Sequence, residues 1–271
     1  MKESYRSLYD NFDSPLMRQL RLEAYGEDVG QHSWVTAEDL RRDAARLKIT
    51  GTSQLLDLGC GPCGPLTFLM QTTGCSGVGI DISAAALSIG RRRAQSLGIA
   101  DRLTVCATDL NSALPLAAGT VDAAISLDVV LHLRDRLRTF TEIGRVLRRG
   151  GRFLFTDAAI VTGAISSEEV AIRSMHGLTQ FCVPGFNERA LEQAGLTLLE
   201  TEDRTHGILS TARGRLEARS RHQAQVRQLE GAAGFARYQD YLQLIVCLAQ
   251  KGALSRTMYL VAAHEGGTGE G

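Results

Sequence analysis

The chain has 271 residues, with 30 Lys and Arg against 30 Asp and Glu for a formal net charge of +0, and it is 44% hydrophobic and 22% charged. These are globular proportions, which exclude wholesale disorder, collagen-like repeats and coiled coil, and the balanced charge supplies no global field to recruit nucleic acid or an acidic membrane. At roughly 100–200 residues per domain, the length suits one large domain or one domain with a sizeable insertion.

Residues 1–13 mix charged and aromatic side chains without an apolar run, so they do not read as a secretory signal. No stretch of about 18 apolar residues suggests a spanning helix. A cytoplasmic protein is expected, with its cysteines (Cys60, Cys63, Cys75, Cys106, Cys182 and Cys247) reduced. Residues 4–25 carry Leu8, Phe12, Leu16, Leu20 and Leu22 near helical spacing, and Pro15 is predicted to break them into two pieces. A second helix starts at the cap Thr36, with Glu38 and Asp39 in its first turn and Leu40, Ala44 and Leu47 along one face.

The pattern then alternates. Strands are predicted at 54–58, 76–81, 102–107, 121–127 and 152–157, with helices at 66–70, 83–97 and 136–147 and a Gly150-Gly151 turn before the fifth strand. Strands separated by helices indicate βαβ units and a parallel sheet. Beyond Asp157 come a mixed stretch, a helix at 187–194, a strand at 196–202, about fifty mostly helical residues from His206 to Ala253, and a last strand at 256–263. The boundaries read as an N-terminal lid at 1–50, a core at 51–205, a helical cap at 206–254, a last core strand at 255–264 and a glycine-rich disordered tail at 265–271.

Gly59, Gly61 and Gly64 form G-x-G-x-x-G between the first strand and a helix, so backbone can approach a ligand at a helix N-terminus. One reading is a dinucleotide enzyme, with Asp81, 17 residues after Gly64, on a ribose. A second is hidden in Cys60-Gly61-Pro62-Cys63, the spacing of thioredoxin-like oxidoreductases. Against it, Gly59 stands where those proteins have an aromatic residue, and Pro115 lies in a Leu-Pro-Leu loop instead of opposite the cysteines.

The third reading fits more residues. Asp57-Leu58-Gly59-Cys60-Gly61, Val78-Gly79-Ile80-Asp81-Ile82-Ser83, Asp109 after the third strand, Val121 to Asp128, and Val146-Leu147-Arg148-Arg149-Gly150-Gly151 occur in order. Over residues 34–157 the sequence thereby resembles the class I S-adenosylmethionine-dependent methyltransferases. The resemblance implies a doubly wound, seven-stranded, mostly parallel α/β sheet with the last strand antiparallel, a lid from the N-terminus and an insertion between strands six and seven. It implies S-adenosylmethionine as cofactor, with the methionine ammonium near Asp57 and the glycine loop of Gly59, Cys60 and Gly61. It implies the ribose on Asp81, the adenine between Ile82, Asp109 and Leu110, and Leu127 and Trp34 beside the transferred methyl.

For the acceptor, Asp128-Val129-Val130-Leu131-His132 puts Asp128 and His132 four apart, on one face if a helical turn begins there. This is similar to the Asp-x-x-x-His of phosphoethanolamine and related small-molecule methyltransferases, in which the pair would orient and deprotonate an amine. Tyr9 (or Tyr5), His32, Asp157, His176 and His206 are further acceptor-side candidates. A departure is Asp157-Ala158-Ala159, because the phosphobase enzymes carry a Tyr after that Asp. Arg204, Arg213, Arg215, Arg219, Arg221 and Arg227 form a basic run that reads first as a solvated helix face and second as a cap holding an anionic substrate. The expected acceptor is a small molecule, amine-bearing or anionic, with neither nucleic acid nor metal in the reaction. A non-catalytic cofactor-binding module and an O- or C-methyltransferase stand as alternatives.

Overall fold

Adjacent residues of a strand face opposite sides of its sheet, and this chain uses both sides. The structure is a computed structural model that describes residues 9, 11–174, 177 and 179–263. In β1 (Gln54–Leu58), Leu56 and Leu58 enter one apolar layer and Leu55 the other. Helices cover both layers. On one side lie α2 (Ala37–Arg46), α3 (Gly64–Thr73) and α4 (Ala84–Ser96), which bury Leu40, Leu66, Leu69, Met70 and Leu87 against the sheet, whereas α1 (Pro15–Tyr25) packs Leu20 against Ala218, Val226 and Phe235. On the other, Phe140 of α5 (Arg136–Val146) meets Phe153, Phe155 and Tyr259, whose rings stack at 5.1 and 4.7 Å.

The remaining strands are β2 (Ser76–Asp81), β3 (Leu103–Ala107), β4 (Val121–Leu127), β5 (Leu147–Val161), β6 (Leu196–Asp203) and β7 (Leu254–Ala263). They form one seven-stranded sheet in the order β3-β2-β1-β4-β5-β7-β6. The first five strands are parallel, and β7 runs antiparallel between β5 and β6. The order reverses between β1 and β4, and in such sheets that switch point opens a crevice at the carboxyl ends of the strands.

Above that crevice lie α6 (Ser167–Arg173) and the cap, built from α8 (Thr205–Arg221) and α9 (Gln223–Gln250), which is kinked at Gly231 with φ 77° and ψ 160°. Helix α7 (Phe186–Gln193) packs beside α5. The cap contributes Ile208, Ala212, Tyr241, Leu242, Ile245 and Val246 to a separate apolar cluster with Trp34, Leu131, Ala158 and Ala159.

Two expectations change, while the division at Pro15 holds: Tyr9 is helical, residues 11–14 are turn, and Pro15 starts α1 with the Ser14 hydroxyl capping it, because a first-turn proline lacks only a donor that has no partner there anyway. The Gly150-Gly151 turn lies inside the longer β5 as an irregularity, the pairing jumping from Val121–Leu147 to Ala123–Arg152. The short helix α6, within the stretch expected to be mixed, is nucleated by a capping box between Ser166 and Glu169. The tail expected at 265–271 lies outside the described residues.

The basic run is a solvated face only in part: Arg213, Arg221 and Arg227 are exposed, but Arg204 and Arg219 are buried. Arg204 donates to both carboxylate oxygens of buried Asp43, which ties α2 to the start of α8. Arg219 pairs with Glu230 and Arg221 with Glu23, while Arg215 lies over the rings of Tyr25 and Trp34. Asp157, expected on the acceptor side, is fully buried instead. It accepts from Arg136 at 2.6 Å and Asn187 at 2.9 Å, and Arg136 also donates to the carbonyl of Gln180 and to Asn187. This knot joins β5 to α5 and α7, away from the crevice. Replacing Arg136 by Met strands a buried carboxylate, so denaturant unfolding is expected to show a loss of about 3–5 kcal/mol. A loss below about 1 kcal/mol would contradict that role.

Candidate active site

The glycine loop gets its shape from three left-handed residues, Gly59, Gly61 and Cys63. Gly59 and Gly61 have φ of 76° and 50°, and each close approach there leaves no space for a side chain. A Cβ on Gly59 would lie 2.5 Å from Val129, and one on Gly61 would lie 3.1 Å from the Tyr9 hydroxyl. Gly64 serves a different contact. A Cβ there would meet the Gly30 carbonyl oxygen at 2.0 Å, so its absence lets the N-terminal lid reach the start of α3. The Gly61 amide donates to Asp81 Oδ2 and the Ser83 amide to Asp81 Oδ1, both at 2.8 Å, which fixes the carboxylate at the end of β2 beneath the loop.

Asp57 is different. Buried at 2% exposure on β1, its side chain makes no hydrogen bond or ion pair with the described residues. Burial, and after it the negative charge of Asp81, push its carboxyl up to about 8. Asp81 too is raised by burial, against the lowering pull of the Ser83 and Gly61 amides. Asp109 closes the far end, where its Oδ1 accepts from the backbone amide and the side-chain amide of Asn111.

The cysteine pair behaves as packing. The Cys60 and Cys63 sulfurs lie 3.6 Å apart, both buried, and Cys63 fills the space against Gly79 and Gly90. Burial, with Cys63 alongside, pushes the Cys60 thiol well above its ordinary range, opposite to what a reactive thiolate requires.

Asp128 and His132 do not form the expected pair. Asp128 has a φ of 59°, and the turn that follows is a tight 3₁₀ turn over Val130–His132. Its carboxylate faces Arg256 of β7, which donates from Nε at 2.9 Å and from Nη2 at 3.1 Å. The Thr156 hydroxyl and the Trp34 amide complete the set at 2.8 and 2.9 Å. Burial alone would raise this carboxyl, but the Arg256 guanidinium outweighs it and holds the group below the ordinary carboxylate range. Asp128 is thus a structural hub whose four donors hold the uncommon backbone angle in place.

Most of the expected site residues share one cleft. Trp34, Asp57, Gly59, Cys60, Gly61, Asp81, Ile82, Asp109, Leu110 and Leu127 border it, as do Asp128, His132, Tyr9 and His32. Tyr9 packs edge-on to His32 with ring centroids 6.2 Å apart. Asp157 is in the knot beneath, and His206 is exposed on α8 outside the cleft. His176 and Tyr5 lie outside the described residues. Sequence reasoning missed Arg173, Thr179, Tyr238 and Tyr241 on the cap side. Tyr238 and Tyr241, three apart on a helix, offered a faint signal, whereas Arg173 offered none.

Residues 56–155 match the family of methyltransferase domains. The methyltransferase GfsG of Streptomyces halstedii is 31% identical over 164 residues, 58% of this chain and 58% of that protein. The glycine/sarcosine/dimethylglycine N-methyltransferase of Actinopolyspora halophila is 30% identical over 177 residues, 65% of this chain and 31% of that protein. The chain therefore spans less than two thirds of the length of either relative. Among solved structures, the cyclopropane synthase MmaA2 from Mycobacterium tuberculosis shares the fold with a TM-score of 0.81 at 15% identity, over 96% of this chain and 97% of that one. Among the described residues no helix is long and apolar enough to cross a membrane, and no three His, Cys, Asp or Glu side chains gather as a metal site.

The cleft fits S-adenosylmethionine on its own chemistry. A buried carboxylate without a partner at Asp57 suits an ammonium, and the Asp81 carboxylate retains lone pairs for two hydroxyls. An acid whose folded pKa lies above its unfolded one holds extra protons when folded, so its burial weighs against the fold increasingly as pH rises from about 4 to 8. Asp57→Asn is therefore expected to stabilise the ligand-free chain at pH 8 by about 1–3 kcal/mol, less at pH 5, while weakening cofactor binding about tenfold or more. Unchanged affinity in calorimetry would remove the ammonium from Asp57. Gly61→Val, facing both a positive φ and the Tyr9 hydroxyl, is expected to abolish binding; normal binding would show that the loop does not touch the ligand.

Proposed function

We propose that this chain, which carries a class I S-adenosylmethionine-dependent methyltransferase domain, transfers the methyl group to a small-molecule acceptor, with an amine nitrogen favoured over oxygen and oxygen over carbon. The observation that carries the reading is the partnerless Asp57 carboxylate on the floor of a cleft whose opposite wall is the helical cap. Bound S-adenosylmethionine supplies an electrophilic methyl group on a sulfonium.

The chain's residues have two roles. The first is to hold the two reactants in line and keep water out, which accounts for much of a bimolecular barrier. Asp57, Asp81, Asp109 and the loop of Gly59, Cys60 and Gly61 would hold the cofactor, with Ile82 and Leu110 against its adenine. Trp34 and Leu127 would exclude water near the methyl. The second role is proton removal, because an ammonium has no lone pair with which to attack. His132, on the 3₁₀ turn after β4 and lining the cleft, is the assigned base. Asp128 acts through position: pinned by Arg256, it fixes the start of the turn that carries His132.

The preference for nitrogen rests on the likeness to an N-methyltransferase and on this imidazole. His132→Ala is expected to lower turnover by about 10² to 10⁴ with cofactor affinity nearly unchanged, and the acid limb of the wild-type rate, due to imidazole protonation, is expected to vanish. The measurement is a steady-state pH profile with the acceptor identified by a methyl-transfer screen. Wild-type turnover in the variant would demote His132 to packing.

A further inference from the structure

This chain answers its buried arginines with carboxylates, and the exception is in the cleft. Of the six buried arginines among the described residues, Arg21 pairs with Asp28, Arg136 with Asp157, Arg204 with Asp43, Arg219 with Glu230 and Arg256 with Asp128. Arg173 pairs with none. At 4% exposure, its guanidinium donates to the Ala158 carbonyl at 3.1 Å and at 3.4 Å to the Tyr241 hydroxyl, and its Nε has no hydrogen-bond partner. A guanidinium removed from water and met only by neutral acceptors is costly unless something else neutralises it.

Arg215 repeats the pattern in the same cleft. It donates to the His32 carbonyl at 2.7 Å and to the Tyr238 hydroxyl at 3.4 Å, with its guanidinium 4.7 Å from the Trp34 ring centroid. Among the described residues no carboxylate pairs with it. Tyr238 and Tyr241, the phenols these two arginines reach, lie 5.7 Å apart between ring centroids. Asp128, the cleft acid whose charge is felt at Tyr25 and Tyr241, is already engaged by Arg256. The cleft is also lined by Trp34 and Leu131, which share an apolar cluster with Tyr241, and by the polar Ser33, His132 and Thr179.

We infer that the methyl acceptor carries an oxyanion on an apolar body, the oxyanion held by Arg173 and Arg215 and the body by the aromatic and leucine walls. This rests on the methyltransferase reading and names the substrate class for it. Two guanidiniums give forked donors that suit a carboxylate or a phosphate alike. The walls distinguish the acceptor from a bare amino acid or a bare phosphate ester of an amino alcohol. Ala158 and Ala159 of β5 are fully buried in the cap cluster, so at these two positions the strand offers no polar side chain to a small head group.

The test is calorimetry on the full chain saturated with S-adenosylhomocysteine. One arm titrates benzoate, benzamide and acetate; the other titrates phenyl phosphate, phenol and inorganic phosphate. In at least one arm the aryl anion is expected to bind about tenfold or more tightly than both its neutral counterpart and its bare anion. The arm that binds decides between carboxylate and phosphate. Arg173→Met is expected to erase the preference over the neutral compound while leaving S-adenosylhomocysteine affinity within about twofold. If that variant fails to fold, Arg215→Met and Arg173→Lys carry the test, the first losing the preference and the second retaining part of it. Equal affinity for neutral and charged aryl probes, equal affinity for acetate or inorganic phosphate, or no binding in either arm overturns the inference. A chain that binds S-adenosylhomocysteine but shows no such preference loses only this inference, whereas one that does not bind it loses the methyltransferase reading as well.

Discussion

The bidentate pair between Arg256 on β7 and Asp128 at the end of β4 fixes the point where sheet, lid and cap meet. From it the Trp34 amide is drawn to Asp128, and the Trp34 ring in turn supports Arg215 of the cap. Thr156 on β5 donates to the same carboxylate and accepts from the Asp128 amide, so three strands and the lid converge on one buried anion. Because the pair is desolvated, neither partner can be lost cheaply: removing one leaves an uncompensated charge, about 3–5 kcal/mol in comparable buried pairs. The cleft walls are consequently rigid where a methyl group would have to pass between two reactants.

The electrostatics of the cleft follow a polarity that sequence composition conceals. A net charge of +0 averages an acidic floor of Asp57, Asp81 and Asp109 against a cap side carrying Arg173 and Arg215. Asp57 adds its charge only when a cation arrives, but the polarity of acids on the floor and guanidiniums on the cap gives a cationic cofactor and an anionic acceptor each their own end of a low-dielectric cleft. Orientation is thereby built into the fold before either ligand arrives.

The glycine loop, Asp81 and Asp109 are legible in the sequence because strand, loop and helix sit within a few residues of one another, and the backbone demands of that turn are local. Even there the spacing conceals why the third glycine is needed, since Gly64 admits the Gly30 carbonyl of the lid. The role of Asp128 is hidden because spacing within a turn says nothing about a partner 128 positions away on β7. Asp157 is hidden similarly, its partners Arg136 and Asn187 coming from separate helices. The burial of Arg204 and Arg219 within a partly exposed arginine run is hidden because helical periodicity reports only the side of a helix, and the carboxylates that meet them, Asp43 and Glu230, lie in other elements. Unanswered charge, the property that singles out Asp57 and Arg173, is visible only once every other partner has been placed.

The central claim is that Asp57 is held largely protonated in the ligand-free cleft and ionises when a cationic cofactor arrives. Calorimetric titration of the full chain with S-adenosylmethionine at pH 7, in two buffers of different ionisation enthalpy, reads that event directly. The account predicts tight binding accompanied by release of most of a proton, with the release absent in Asp57→Asn. Binding with the same proton count in both proteins, or no binding at all, would contradict it.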